Sequence, residues 1–132
     1  MRGLDTNVLA RYVMADDPGQ LAEASALIEG CQAEGEVLFV SAIVVCELVW
    51  VLDRSYRQSK AEILRALEAL LRTDVFQFEH ADLVRRSIVA FRGGEGGLSD
   101  YLIGEIARRA GCRDTVTFDR ALQRAAGFTV LA

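Results

Sequence analysis

The chain reads as an α/β fold: short apolar segments alternate with amphipathic ones, turn residues separate them, and acids recur at the junctions. Such alternation implies parallel strands with helices on both faces. The expected architecture is a three-layer sandwich, a central parallel sheet of four or five strands flanked by helices. At 132 residues and 52% hydrophobic content, residues 1–132 are expected to form a single domain that buries roughly two-thirds of its unfolded surface.

Arg2 to Leu4 begins as a short strand, and Val8, Leu9, Tyr12 and Val13 repeat at helical spacing over Thr6 to Met14. Asp16-Asp17-Pro18-Gly19 is a turn, with Pro18 suited to the first position of a second helix running to about Glu34. Val37 to Val40 is a buried strand. Ser41 offers a cap for a helix through about Asp53, although the β-branched run Ile43-Val44-Val45 keeps a strand open there. Ser59 caps an amphipathic helix over Ala61 to Arg72, Val75 to Phe78 is a strand, and Ala81 to Phe91 is a helix. Gly93-Gly94-Glu95-Gly96-Gly97 reads as a mobile loop. Ser99 is the expected cap of a helix from Asp100 to about Ala110, which Gly111 can end. Thr115 to Phe118 is a strand, Arg120 to Ala126 a short helix, and Phe128 to Leu131 a last strand.

Composition narrows the function. A net charge of −4 argues against broad, charge-driven binding to nucleic acid or an anionic membrane, so any nucleic-acid grip must be local. Fourteen of the fifteen basic residues are Arg, whose planar fork suits phosphate or carboxylate; a GC-rich genome would give the same bias. Arg11, Arg85, Arg86 and Arg92 are candidates for RNA contact on topological grounds. Cys31, Cys46 and Cys112 show no ligand spacing and read as reduced thiols, which with the absence of a signal core suggests a cytoplasmic protein with no membrane partner.

Glu47 is the one non-apolar residue between Ala42 and Leu52. A carboxylate taken into a core without a partner costs on the order of several kcal/mol, so the chain must expose it, protonate it or pair it. A buried Arg would serve, and so would a bound cation. Three further acids lie where apolar elements start or stop: Asp5, Asp100 and Asp119. In parallel sheets, functional groups gather at the carboxyl ends of strands. Helix capping is the bland account of each Asp taken singly. Gathered together, four carboxylates need a compensating cation; oxygen ligands without His or thiolate suit Mg²⁺ or Mn²⁺, and such ions serve phosphodiester hydrolysis. Thr6, Asn7 and Thr117 either satisfy local backbone or hold a carboxylate or water. His80 reads as a helix-start residue, and the glycine loop lacks the Gly-Lys-Ser/Thr of a phosphate loop.

Four segments in this order carry a resemblance that spans essentially the whole chain: Gly3-Leu-Asp-Thr-Asn-Val-Leu9, Ser41-Ala-Ile-Val-Val-Cys-Glu-Leu48, Leu98-Ser-Asp-Tyr-Leu-Ile103, and Arg109-Ala-Gly-Cys112 followed by Thr115-Val-Thr-Phe-Asp119. The sequence resembles PIN domains, specifically VapC-type toxins of toxin–antitoxin pairs. The resemblance implies a Mg²⁺- or Mn²⁺-dependent endoribonuclease using one or two ions. Asp5, Glu47, Asp100 and Asp119 would form the metal site, with Glu47 ligating directly or orienting water and Thr117 in support. It further implies cleavage leaving a 5′-phosphate and a 3′-hydroxyl, a homodimer or toxin–antitoxin hetero-oligomer, and silencing by a cognate antitoxin. Leu98 and Tyr101 depart from the family pattern, and Tyr101 could narrow the site or stack a base.

Other classes fit less well. A phosphoacceptor receiver domain needs a Lys late in the chain and an Asp ending its third strand, whereas the only lysine is Lys60 and the third strand ends at Phe78-Glu79-His80. A silent binding module has no need of four acids. DNA-cleaving relatives are much longer.

Overall fold

The computed structural model describes residues 1–132 and realises the predicted alternation: β1 (Arg2–Gly3), α1 (Thr6–Met14), α2 (Pro18–Glu34), β2 (Leu38–Val40), α3 (Ala42–Arg54), α4 (Lys60–Leu71), β3 (Phe76–Phe78), α5 (Ala81–Gly93), α6 (Leu98–Arg109), β4 (Thr115–Thr117), a 3₁₀ turn (Arg120–Leu122) and β5 (Phe128–Val130). All strand pairs are parallel. They form two ladders, β1-β2-β3 and β4-β5, so the five strands are divided three and two. The chain divides into two compact units, Met1–Ala81 and Asp82–Ala132. No helix is long and apolar enough to cross a membrane.

In the first unit, local chemistry starts each helix. Asp5 caps α1; Asp17 caps α2 by accepting from the Gln20 amide, with Pro18 next. Ser41 Oγ accepts from Val44 N at 3.2 Å, which decides the open choice at Ile43-Val44-Val45 in favour of helix. At α4, Ser59 and Glu62 cap reciprocally: Ser59 Oγ accepts from Glu62 N at 3.2 Å, and Glu62 Oε1 accepts from Ser59 N at 3.0 Å. The core joins the buried faces of α1, α3 and α4 with Leu38, Val40, Phe76 and Phe78 of the sheet. α1 packs on α2 and α3, α3 on α4, and α4 on β3.

The register positions the functional edge. Gly3 pairs with Phe39, and Phe39 with Gln77. Asp5, Ser41 and Glu79 each lie two residues further on, so all three leave the sheet at its carboxyl edge.

The second unit corrects three expectations. α6 starts at Leu98, capped by Gly97 rather than Ser99, because Asp100 at the third helical position accepts from Gly97 N through Oδ2 at 2.8 Å. The helix expected over Arg120 to Ala126 shrinks to one 3₁₀ turn, since only Leu122 there is buried and one anchor cannot hold two turns of helix. The glycine segment is packed around Tyr101: Gly96 N donates to the Tyr101 hydroxyl at 3.0 Å, and a Cβ on Gly96 would come within 2.5 Å of Leu122 Cδ2. Tyr101 is buried, which makes it a core residue and removes it as a base-stacking platform. Gly111, at φ 101°, ends the turn after α6 as expected, with Cys112 N bonding Ala107 O.

Candidate functional site

At the carboxyl edge of the first unit's sheet, a cavity of about 430 Å³ is lined by Asp5, Thr6, Asn7, Ala10, Arg11, Glu47, Val51, Ser55 and Tyr56. Two larger cavities, of about 570 and 580 Å³, contain none of the predicted site residues. Asp5 ends the chain's exit from β1 and caps α1, its Oδ1 accepting from Thr6 N at 2.8 Å. Thr6 is buried, and its hydroxyl reaches across to Glu47 Oε1 at 3.4 Å, a long hydrogen bond that ties α1 to α3 at the cavity. Asn7 lines the same wall and is exposed.

Glu47 does not enter the core. Of the three outcomes open to its carboxylate, the fold takes exposure: Val44, Val45, Leu48 and Leu52 form the buried face of α3, while Ile43, Glu47 and Trp50 are exposed. The reason is helical phase, since positions 43, 47 and 50 share one face.

In the second unit, Asp100 is half-buried in the first turn of α6, and Asp119 is exposed at the start of the 3₁₀ turn, where Oδ1 accepts from Ala121 N at 2.9 Å. Thr117 Oγ1 accepts from Asp119 N at 3.0 Å, which satisfies local backbone and fixes the chain at Asp119. The three aspartates thus share a pattern. Each spends one carboxylate oxygen on a backbone N–H at a helix start and keeps the other uncommitted. None of these aspartates, nor Glu47, is in an ion pair, whereas Asp16, Asp82 and Glu105 are taken up by Arg side chains.

Carboxylate oxygens without imidazole or thiolate suit a hard divalent ion. Asp5 and Glu47 share the first unit's cavity; no group of three or more His, Cys, Asp or Glu stands at metal-holding spacing. Two carboxylates remain a fitting set for Mg²⁺, which keeps several waters and is commonly held by one or two carboxylates.

Two features escaped sequence reasoning. Glu79, just after β3, accepts from Ala42 N through Oε1 at 2.9 Å and so places a carboxylate at the start of α3. No local signal gives a cap donated from 37 residues away. At the cavity rim, Arg11 donates through Nη1 to Asp16 Oδ2 (2.9 Å) and Tyr56 Oη (3.0 Å) and through Nε to Gln20 Oε1 (2.6 Å), and the Tyr56 hydroxyl bonds Asp16 Oδ2 at 3.0 Å. Desolvation works to raise the Asp16 carboxyl, but hydrogen bonds from Tyr56 and Arg11 outweigh it and hold its pKa below the usual carboxylate range. Among the other candidate arginines, Arg86 is engaged by Glu105 at 3.0 Å.

The PIN domain family model matches residues 4–128. The chain belongs to the PIN domain family. This PIN domain is 27% identical over 124 residues to a VapC ribonuclease of Aquifex aeolicus (strain VF5), the match covering 94% of this chain and 91% of the relative. It is also similar to the crystal structure of Mycobacterium tuberculosis VapC20, described as a Sarcin-Ricin loop cleaving toxin: 22% identity, TM-score 0.43, 99% of this chain and 98% of that one covered. In this PIN domain, Asp5 and Glu47 are the predicted acids that meet in one cavity.

Proposed function

We propose that residues 1–132 act as one nuclease domain, a metal-dependent endoribonuclease that serves as the toxin of a type II toxin–antitoxin pair. The observation that carries this reading is the pair Asp5 and Glu47, neither compensated by a basic side chain, converging with Thr6 on one cavity of a PIN domain. The 27% identity to a VapC ribonuclease supports RNA as the substrate.

In this reading Asp5 and Glu47 of the first unit, and Asp100 and Asp119 of the second, would be the ligands for one or two Mg²⁺ ions, with Mn²⁺ able to substitute. When bound, such an ion neutralises charge on the phosphate and lowers the pKa of an attacking water. Thr6 holds Glu47 in place, and Thr117 fixes the backbone that presents Asp119. Asn7 offers its amide to substrate or water at the cavity wall. Hydrolysis forms a bond from water oxygen to phosphorus and breaks the bond to the 3′ oxygen, giving a 5′-phosphate and a 3′-hydroxyl. The protein works in the cytoplasm as a homodimer or in a hetero-oligomer with its antitoxin, whose basic side chain would suit the acidic cavity.

Thermal melts test the metal site without an activity readout. A ligand that binds only the native state stabilises it by about 2.7 kcal/mol at a hundred times its Kd, so millimolar Mn²⁺ should raise the melting temperature of the wild type. Asp5→Asn should abolish that rise while melting normally without metal. A wild type unmoved by Mn²⁺, or a variant that responds equally, would remove the basis for this site.

A further inference from the structure

An arginine beside two carboxylates would ordinarily fold onto them and fill the cation site with its own charge. Arg11 lines the cavity of Asp5 and Glu47 and does not do this. Asp16, Tyr56 and Gln20 take Nη1 and Nε from the rim side. The two N–H groups of Nη2 have no partner in the protein. The guanidinium is half-exposed, and the closed triangle of Arg11, Asp16 and Tyr56 fixes its plane. The arrangement keeps the carboxylates available to a cation and the free edge of the arginine available to an anion, side by side.

We propose that Arg11 is a phosphate-binding residue that holds a non-bridging oxygen of the RNA strand at the cavity rim, with Asp16, Tyr56 and Gln20 as its positioning residues. The inference rests on the nuclease reading above. A planar fork is what the geometry requires, because three internal bonds and one outward edge must be presented at once, which an ammonium on a flexible stem cannot do.

The test combines steady-state cleavage of a pool of structured RNAs with binding of single-stranded poly(U) across a salt series. Arg11→Gln should raise the apparent KM about tenfold with kcat within about twofold, and should flatten the salt slope of poly(U) binding by about 0.7, the loss of one phosphate contact on a single strand. Arg11→Lys should restore the slope, since it restores the charge, and recover only part of the KM. A folded Arg11→Gln protein with unchanged KM and slope overturns the proposal, as does a fall in kcat at constant KM. If Arg11→Gln does not fold, Tyr56→Phe decides: a raised KM with an unchanged slope supports the clamp, and an unchanged KM overturns it. Wild-type protein that neither binds poly(U) nor cleaves the pool defeats the nuclease reading as well; wild-type cleavage with indifferent Arg11 and Tyr56 variants defeats only this inference.

Discussion

Asp5→Asn and Asp100→Asn should each keep the fold and lose metal-dependent RNA cleavage by at least about a hundredfold, the scale of removing one preorganised electrostatic group from an active site. The amide is isosteric with the carboxylate and retains an acceptor oxygen. The capping bonds from Thr6 N to residue 5 and from Gly97 N to residue 100 can therefore survive, and melting in the absence of metal should barely change. What the amide lacks is the charge that holds a cation. Activity assays on purified variants, with circular dichroism as the control on folding, separate the two effects. Wild-type-like cleavage by either variant would take that acid out of the site. Lost activity with a collapsed melting temperature would show that its structural capping duty dominates.

Leu48→Ala should destabilise the protein by about 2–5 kcal/mol and lower its melting temperature by roughly 10 °C. Leu48 is 1% exposed on the face of α3 that packs on α1 and α4, so truncation leaves a void with nothing mobile to fill it. Its neighbour Glu47 is exposed beside that face, within reach of Thr6 on α1. Glu47→Gln should accordingly change stability by no more than about 0.5 kcal/mol, while sharing the loss of cleavage. Chemical denaturation of both variants tests the phase of α3 directly. A mild Leu48→Ala together with a severe Glu47→Gln would mean that the helix is turned the other way.

That phase was the least legible part of the site. Ala42 to Leu52 is apolar on every side, so hydrophobic periodicity has no contrast from which to tell the buried face. Glu47 itself is the phase marker, and with Ile43 and Trp50 it marks the outside. The helix starts were readable because their causes are local: Ser41, Ser59, Asp5 and Pro18 each act within four residues. Causes that act across the chain were not. Glu79 reaches Ala42, and Tyr56 reaches Asp16 and Arg11, through contacts between residues 37 to 45 apart that leave no spacing signature. The Ser99 cap failed for a subtler local reason. Asp100 at the third helical position supplies the capping bond itself and moves the helix start back to Gly97. Of the candidate site, residue types and edge were legible and side-chain partners were not. Thr6, read from the sequence as satisfying local backbone or holding a carboxylate or water, is the link from α1 to Glu47, a partner that the sequence did not single out.

Antitoxin-free protein incubated with a pool of structured RNAs in Mg²⁺, in Mn²⁺ and in EDTA tests the central claim most directly. Discrete cuts carrying 5′-phosphate ends in either metal, and none in EDTA, are the predicted result. Cleavage that persists in EDTA, or intact RNA under all three conditions, would contradict a metal-dependent endoribonuclease.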